Sequence, residues 1–302
     1  MNKQYAICLD VGGTSIKSAI VLSNGVLLDK TFKIVSVNTK GSKEYIITAF
    51  ISIIKAYIDF LKFKNIMPAG IGIGMCGPMD YKNGICFIPP NLHKYQSLYN
   101  VNLKQVLIEK LDFENIVFEN DASTFLRGEV WVGAAKDFDK AIGITLGTGL
   151  GSAFYSRGKI ISEGEGIPAD GWVGGIPLEN GIVEDKIARR WFISRYKELY
   201  NINNNIDVKE IADRAKGGDK ICKEIFEEMG SRLGKIIKPY VNNFEADCIV
   251  FGGQISKAFC LFNKQFINEL AGVKTLKKVA VASDIEKASL FGAATLIFKE
   301  LQ

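Results

Sequence analysis

"QYAICLDVGGTSIKSAIVL", residues 4–22, places two short apolar runs, 4–10 and 16–22, on either side of the glycine turn "VGGTS". A third run, 26–32, follows Asn24-Gly25. Asn-Gly between apolar runs is a strong hairpin signal, so the chain is expected to open as an antiparallel meander. The period then changes. In "EYIITAFISIIKAYIDFLKF", residues 44–63, Ile46, Ile47, Phe50, Ile53, Ile54, Tyr57, Ile58 and Leu61 recur at helical spacing, which predicts a helix with a wide buried face. "AGIGIGMCGPMD" reads as a glycine-rich strand running into a turn, "LKQVLIEKL" as a second helix, and "NIVFEND" as a strand that ends in acids.

The second half repeats the theme. "AIGITLGTGLGSAFYSRGKII", residues 141–161, reads as two strands around a glycine turn, with a further turn at Arg157-Gly158. Residues 184–243 follow a helical pattern broken at the Asn-rich 201–205 and at Gly217-Gly218. A strand "DCIVFGG", a helix over about 256–271, a strand "KKVAVAS" and a helix over 286–300 close the chain. Two halves that each begin with a glycine-turned hairpin and continue into helices predict two related α/β lobes, with a ligand cleft between them. The expected division is 1–119, completed by the C-terminal helix 286–302, and 120–285.

Composition narrows the function classes. With 302 residues, 47% apolar and 24% charged, the chain is long enough for two cores and carries no signature of extended disorder. The net charge of +5 comes from scattered Lys and Arg with no basic block, so no nucleic-acid partner is expected. Six cysteines, at 8, 76, 86, 222, 248 and 260, form no C-x-x-C pair, and His93 is the one histidine, which argues against a Cys/His zinc site and a histidine dyad. The N-terminal apolar run is too short for a signal peptide, and Lys55 and Asp59 interrupt the most apolar helix. No membrane association is expected, and thiols without an export signal point to the cytoplasm.

Four stretches carry chemistry. In "LDVGGTSIK" an acid at a strand end, two glycines and a hydroxyl make a turn whose N–H groups can approach a phosphate; the same residues also suit a plain hairpin. "LGTGLGSA" is a second such turn, with Thr148 placed to donate. In "FENDASTFLRGEVWVG", Glu119, Asn120 and Asp121 sit where a strand stops and a helix starts. Asp121 there is either an N-cap or a carboxylate that takes a proton from a substrate hydroxyl. "VFGGQIS" puts two glycines and a hydroxyl at a strand-to-helix junction, where a flat ring can lie on the backbone or Ser256 can cap the helix.

Taken in order and at these separations, Asp-Gly-Gly-Thr, Glu-Asn-Asp-Ala, Gly-Thr-Gly-x-Gly and Gly-Gly-x-x-Ser resemble the ROK family of bacterial sugar kinases across essentially the whole chain. The resemblance implies an actin-like ATPase fold of two ribonuclease-H-like lobes around a central cleft. It implies ATP and Mg²⁺ as cofactors, a sugar substrate phosphorylated at the 6-hydroxyl of a hexose or hexose derivative, and a homodimer. By the matched motifs, Gly12, Gly13 and Thr14, with Lys17 in the strand beyond them, and Gly147, Thr148 and Gly149 would hold the phosphates. Asp10 would organise Mg²⁺ through water, and Gly252, Gly253 and Ser256 would lie near the adenosine. Asp121 would be the general base, and Asn120 and Asn91 would fix the sugar. No helix-turn-helix precedes Asp10, which resembles the kinase branch rather than the repressor branch.

The chain departs from the family at "PADGWVGGIPLENGIVEDK", residues 168–186. Against the family's Glu-x-Gly-His, Trp172 stands for the Glu and Gly175 for the His. The cysteine-rich zinc motif is replaced by "ENG", so no zinc is expected. Glu184 aligns with the sugar-contacting Glu that follows that motif; otherwise Glu184-Asp185 are acids favoured in a helix's first turn. Trp172 is either a cap over an apolar core or a flat face on which a sugar ring or aglycone stacks. Loss of two hydrogen-bonding groups predicts a substrate other than plain glucose or N-acetylmannosamine, or relaxed selectivity. Two competitors to the kinase remain: a catalytically silent sugar sensor of the same fold, and a protein-activating ATPase, which the scattered cysteines disfavour.

Overall fold

The computed structural model describes residues 3–89 and 94–298. The chain divides into two units, Met1–Val132 with Lys287–Gln302, and Gly133–Glu286.

In the first unit β1 (Tyr5–Val11) and β2 (Ser15–Leu22) pair antiparallel in register Leu9↔Ser18 and Asp10↔Lys17. The predicted third strand moves. Asn24-Gly25 does reverse the chain, with the Leu22 N–H donating to the Val26 carbonyl at 2.9 Å. Thr31 then intervenes: its Oγ1 accepts the Ile20 N–H at 2.9 Å and occupies the edge that residues 26–32 would have paired with. Only the bridge Val21↔Leu27 forms there, and β3 is Lys33–Ser36, paired with Ser15–Ser18.

Helix α1 (Lys43–Phe63) starts on a Ser42 cap, whose hydroxyl accepts the Tyr45 N–H. Ile46, Phe50, Ile53, Ile54, Tyr57, Ile58 and Leu61 are buried against the sheet, as the period requires. Next come β4 (Gly70–Met75), the small hairpin of β5 (Met79–Asp80) and β6 (Ile85–Cys86), α2 (Leu103–Leu111), β7 (Ile116–Asn120) and α3 (Asp121–Trp131). Strands β4 and β7 run parallel to β1, giving the order β3-β2-β1-β4-β7.

The second unit repeats this succession. β8 (Lys140–Leu146), β9 (Leu150–Ser156) and β10 (Lys159–Ile161) form the antiparallel meander. Then follow 3₁₀ turns at Ala169–Gly171 and Val173–Gly175, a hairpin of β11 (Pro177–Leu178) and β12 (Gly181–Ile182), and a 3₁₀ turn at Val183–Lys186. Helices α4 (Arg189–Tyr200), α5 (Val208–Lys216) and α6 (Lys220–Phe244) break where the sequence predicted. β13 (Cys248–Gly252), α7 (Phe259–Glu269) and β14 (Lys278–Val281) complete a sheet of order β10-β9-β8-β13-β14, the same permutation as the first. The helix expected over 256–271 begins as a 3₁₀ turn, Gln254–Ala258. Among the described residues no helix is long and apolar enough to cross a membrane.

The last helix, α8 (Ala288–Thr295), belongs to the first unit and is shorter than the 286–300 predicted. Leu290, Ala293 and Ala294 of α8 pack on Ala6, Cys8, Ala19 and Val21, the face of the first sheet opposite α1. The expected boundary at 119/120 falls instead after Val132, because α3 packs along α8. That contact is nearly backbone on backbone. A Cβ at Gly292 would overlap the Thr124 carbonyl, and one at Gly128 would overlap the Ala288 carbonyl. A main-chain clash of this kind cannot be relieved by a rotamer change. Gly292→Ala is therefore expected to lower the unfolding free energy by about 3 kcal/mol or more, read from urea midpoints, whereas Gly218→Ala, where a Cβ meets open space at positive φ, is expected to lose only about 1 kcal/mol.

Candidate active site

In the first unit, the turn between β1 and β2 is held by its carbonyls. The Tyr95 hydroxyl donates to the Gly12 oxygen at 2.7 Å, the Thr39 hydroxyl to the Gly13 oxygen at 3.0 Å, and the Val37 N–H to the Thr14 oxygen at 3.0 Å. Across a trans peptide the carbonyl and the next N–H point opposite ways, so the N–H groups of Gly13 and Thr14 face away from Tyr95 and Thr39. Both residues are exposed, which makes the turn a concavity suited to an anion. Tyr95 and Thr39 escaped the sequence reading. Neither belongs to a motif, and Tyr95 lies 83 positions from Gly12. Asp10, the penultimate residue of β1, has its carboxylate 3.8 Å from the ammonium of Lys17, its cross-strand partner.

At the β7–α3 junction the cap is Asn120, not Asp121. Asn120 Oδ1 accepts the N–H groups of Ala122 and Ser123 at 3.0 and 3.2 Å. Its Nδ2 donates to the Tyr81 hydroxyl at 3.2 Å, and that hydroxyl donates to the Met75 carbonyl at 3.1 Å. Glu119 accepts the Asn120 N–H at 2.9 Å and pairs with Arg127 at 3.7 Å. Three consecutive polar residues thus have three jobs, and Asp121 is left as the first residue of the helix, where the axis dipole favours its charge. Asp121 Oδ1 accepts the Ala122 N–H at 3.0 Å. Burial raises the Asp121 pKa above the ordinary carboxylate range, with the Lys94 ammonium and the Ala122 N–H opposing that rise. Lys94, whose charge also bears on the Cys76 thiol, is a further charged neighbour that no sequence motif marked. Asn91 and His93 lie outside the described residues.

In the second unit the turn Gly147-Thr148-Gly149 closes with the Gly147 N–H on the Gly149 carbonyl at 3.0 Å, and Thr148 is exposed. The Arg189 N–H, at the start of α4, donates to the Gly147 carbonyl at 3.1 Å. Gly252 ends β13. Gly253, at φ +80°, lies so close to the Leu146 carbonyl that no side chain fits. Ser256 is not a helix cap: it is buried, and its hydroxyl donates back to the Gly253 carbonyl at 2.6 Å. The carbonyl is thereby drawn inward beneath the glycine pair.

The loop 168–186 is pinned to β9. Ser152 Oγ donates to the Gly171 carbonyl at 2.6 Å and accepts the Val173 N–H at 2.8 Å. Trp172 Nε1 donates to the Leu150 carbonyl at 2.7 Å, and the residue stays 41% exposed. The indole lies against Gly175, in the volume a Cβ there would need, so Trp172 and Gly175 are one coupled change. Glu184 sits in the 3₁₀ turn ahead of α4 rather than in that helix's first turn, and its Oε2 accepts the Leu150 N–H at 2.8 Å. Among the described residues no group of three or more His, Cys, Asp or Glu is placed to hold a metal ion.

The sequence pattern of the ROK family matches residues 6–300. A glucokinase from Thermotoga maritima is 26% identical over 98% of each chain. A xylose repressor from Caldicellulosiruptor bescii is 23% identical over 77% of this chain and 63% of its own. The crystal structure of a ROK family glucokinase from Streptomyces griseus in complex with glucose and AMPPNP superposes with a TM-score of 0.79 at 24% identity, covering 97% of this chain and 98% of that one. The likeness in structure and the two sheets of common strand order identify an α/β, actin-like ATPase fold. With a match that runs from β1 past α8, the chain belongs to the ROK family.

Proposed function

We propose that this protein transfers the γ-phosphoryl group of ATP to a sugar hydroxyl, the 6-hydroxyl of a hexose or hexose derivative, with Asp121 as general base. The observation that carries the reading is Asp121 itself. It is relieved of capping by Asn120, held at a helix N-terminus, and raised in pKa by burial towards the range in which a carboxylate accepts a proton effectively. The glucokinase relatives support the same activity.

In this mechanism the sugar hydroxyl gives its proton to Asp121 as its oxygen bonds to the γ-phosphorus. The bond to the bridging oxygen breaks and ADP leaves. Such transfers depend mainly on alignment and charge neutralisation. Gly12, Gly13, Thr14 and Lys17 in the first unit and Gly147, Thr148 and Gly149 in the second supply phosphate contacts, and Gly252, Gly253 and Ser256 a flat backbone for the adenosine. The Asp10 carboxylate at a strand end fits the sparse, water-rich coordination Mg²⁺ favours; the ion would neutralise phosphate charge. Asn120, Asn91 and Glu184 are assigned to the acceptor side, and Trp172 offers its exposed ring there. A flat ring in place of a carboxylate favours glycosides or disaccharides over free glucose.

The same Trp172–Gly175 change favours a second reading, a sugar sensor without turnover. It predicts thermal stabilisation by sugar and no ADP release. Mg-ATP with a panel of hexoses, amino sugars, glycosides and disaccharides separates the two. We expect ADP release with at least one acceptor, and a loss of about 10²–10⁴-fold in Asp121→Asn with nucleotide binding retained. Equal turnover in that variant removes Asp121 as the base.

Asp121 also has a consequence for stability. Its folded pKa lies above its unfolded value, so between the two the folded chain binds more protons, and this contribution falls as pH rises through that window. Asp121→Asn removes the penalty of a buried charge. The variant is expected to show a higher urea midpoint than the parent at pH 7.5 and to lose the advantage below about pH 4, where both carry a neutral group.

A further inference from the structure

Leu150 is the first residue after the second glycine turn, and both polar groups of its backbone are held by side chains of one loop. Glu184 Oε2 takes its N–H at 2.8 Å, and Trp172 Nε1 gives to its carbonyl at 2.7 Å. The reason lies in the sheet. β10 pairs with β9 only from Ser156 to Phe154, so the outer edge of β9 nearer the turn has no neighbouring strand. Leu150 is buried there, and a buried edge whose N–H and C=O go unmet is strongly disfavoured. Side chains of the loop replace the missing strand.

The turn is shaped to accept this support. The Glu184 carboxylate lies in the space a Cβ on Gly149 would occupy, and the Arg189 N–H holds the Gly147 carbonyl at 3.1 Å. Glu184 is in turn held from behind. Its own carbonyl accepts the Ala188 N–H at 3.0 Å, and the preceding hairpin is tied by Glu179 to Lys186 at 2.8 Å and to Arg232 at 3.7 Å.

We propose that Glu184 and Trp172 are positioning residues for the second glycine turn, so that the loop assigned to the acceptor also sets nucleotide affinity. This rests on the kinase reading for the identity of the ligand. A turn already held in its anion-binding shape loses less freedom on binding than one that must be ordered by the ligand. The carboxylate acts through its hydrogen bond to Leu150, and its negative charge is not what the nucleotide requires.

Three variants of the full chain test this: Glu184→Ala, Glu184→Gln and Trp172→Phe. Binding of Mg-AMP-PNP without sugar is measured by calorimetry, and exchange of the Leu150 amide by mass spectrometry. Glu184→Ala is expected to weaken nucleotide binding about tenfold and to speed Leu150 exchange. Glu184→Gln keeps an oxygen for the Leu150 N–H and should stay within about threefold of the parent on both readouts. Trp172→Phe keeps a flat ring but loses the donor together with part of the indole packed against Gly175, so it should weaken nucleotide binding several-fold, which a residue that merely stacks on the acceptor would not do. The proposal is overturned if nucleotide affinity is unchanged in Glu184→Ala and Trp172→Phe, or if Gln and Ala at 184 are equally impaired. Should Glu184→Ala not fold, Trp172→Phe and Glu184→Gln decide it by the same criteria. A parent that binds no nucleotide while Glu184→Ala speeds Leu150 exchange refutes the kinase reading and the nucleotide role but leaves the clamp. Unchanged exchange refutes the clamp.

Discussion

The first turn of α3 leaves N–H groups with no partner in the helix, and β7 runs into that turn with no residue between them. An acceptor must come from the last strand residue, and Asn120 provides it for two N–H groups at once. Much of the first unit follows from this one constraint. Asp121 is released from capping, its backbone carbonyl takes the Thr124 hydroxyl, and the helix is aimed so that Gly128 can meet the backbone of α8. A cap formed by Asp121 itself would add N–H donors to its charged form and lower the basicity on which the proposed chemistry depends.

The two glycine turns, alike in sequence, are stabilised by different means. The first is held by its carbonyls, through Tyr95, Thr39 and Val37, which leaves the N–H side outward. The second is held where the chain leaves it, at Leu150, by the loop that departs from the family pattern. Because Trp172 occupies the volume of a side chain at 175, the two departures form a single rearrangement, and the loop's shape and the turn's support changed together.

Much of the architecture could be read from periodicity. The meander at each end of the repeat, the buried face of α1, and the breaks at 201–205 and 217–218 all follow from local rules of spacing and turn chemistry. The readings that failed did so where a distant group competed with a local preference. Thr31 took the Ile20 N–H and displaced the third strand. α8 drew α3 into the first unit and moved the boundary past Val132. Ser256, an apparent cap, turned its hydroxyl back to Gly253.

The amino-acid sequence alone determined the order of the motifs, the two glycine turns, the acidic strand end at 119–121 and the departure at 172–184, since each is a run of adjacent residues whose types already limit the backbone. Tertiary structure alone decided what those residues do for one another. Tyr95 reaches Gly12 across 83 positions, Glu184 reaches Leu150 across 34, and Trp172 reaches it across 22. No spacing rule links such pairs; they meet because buried backbone polar groups must find partners, and the nearest ones in space are supplied by the packing of the fold.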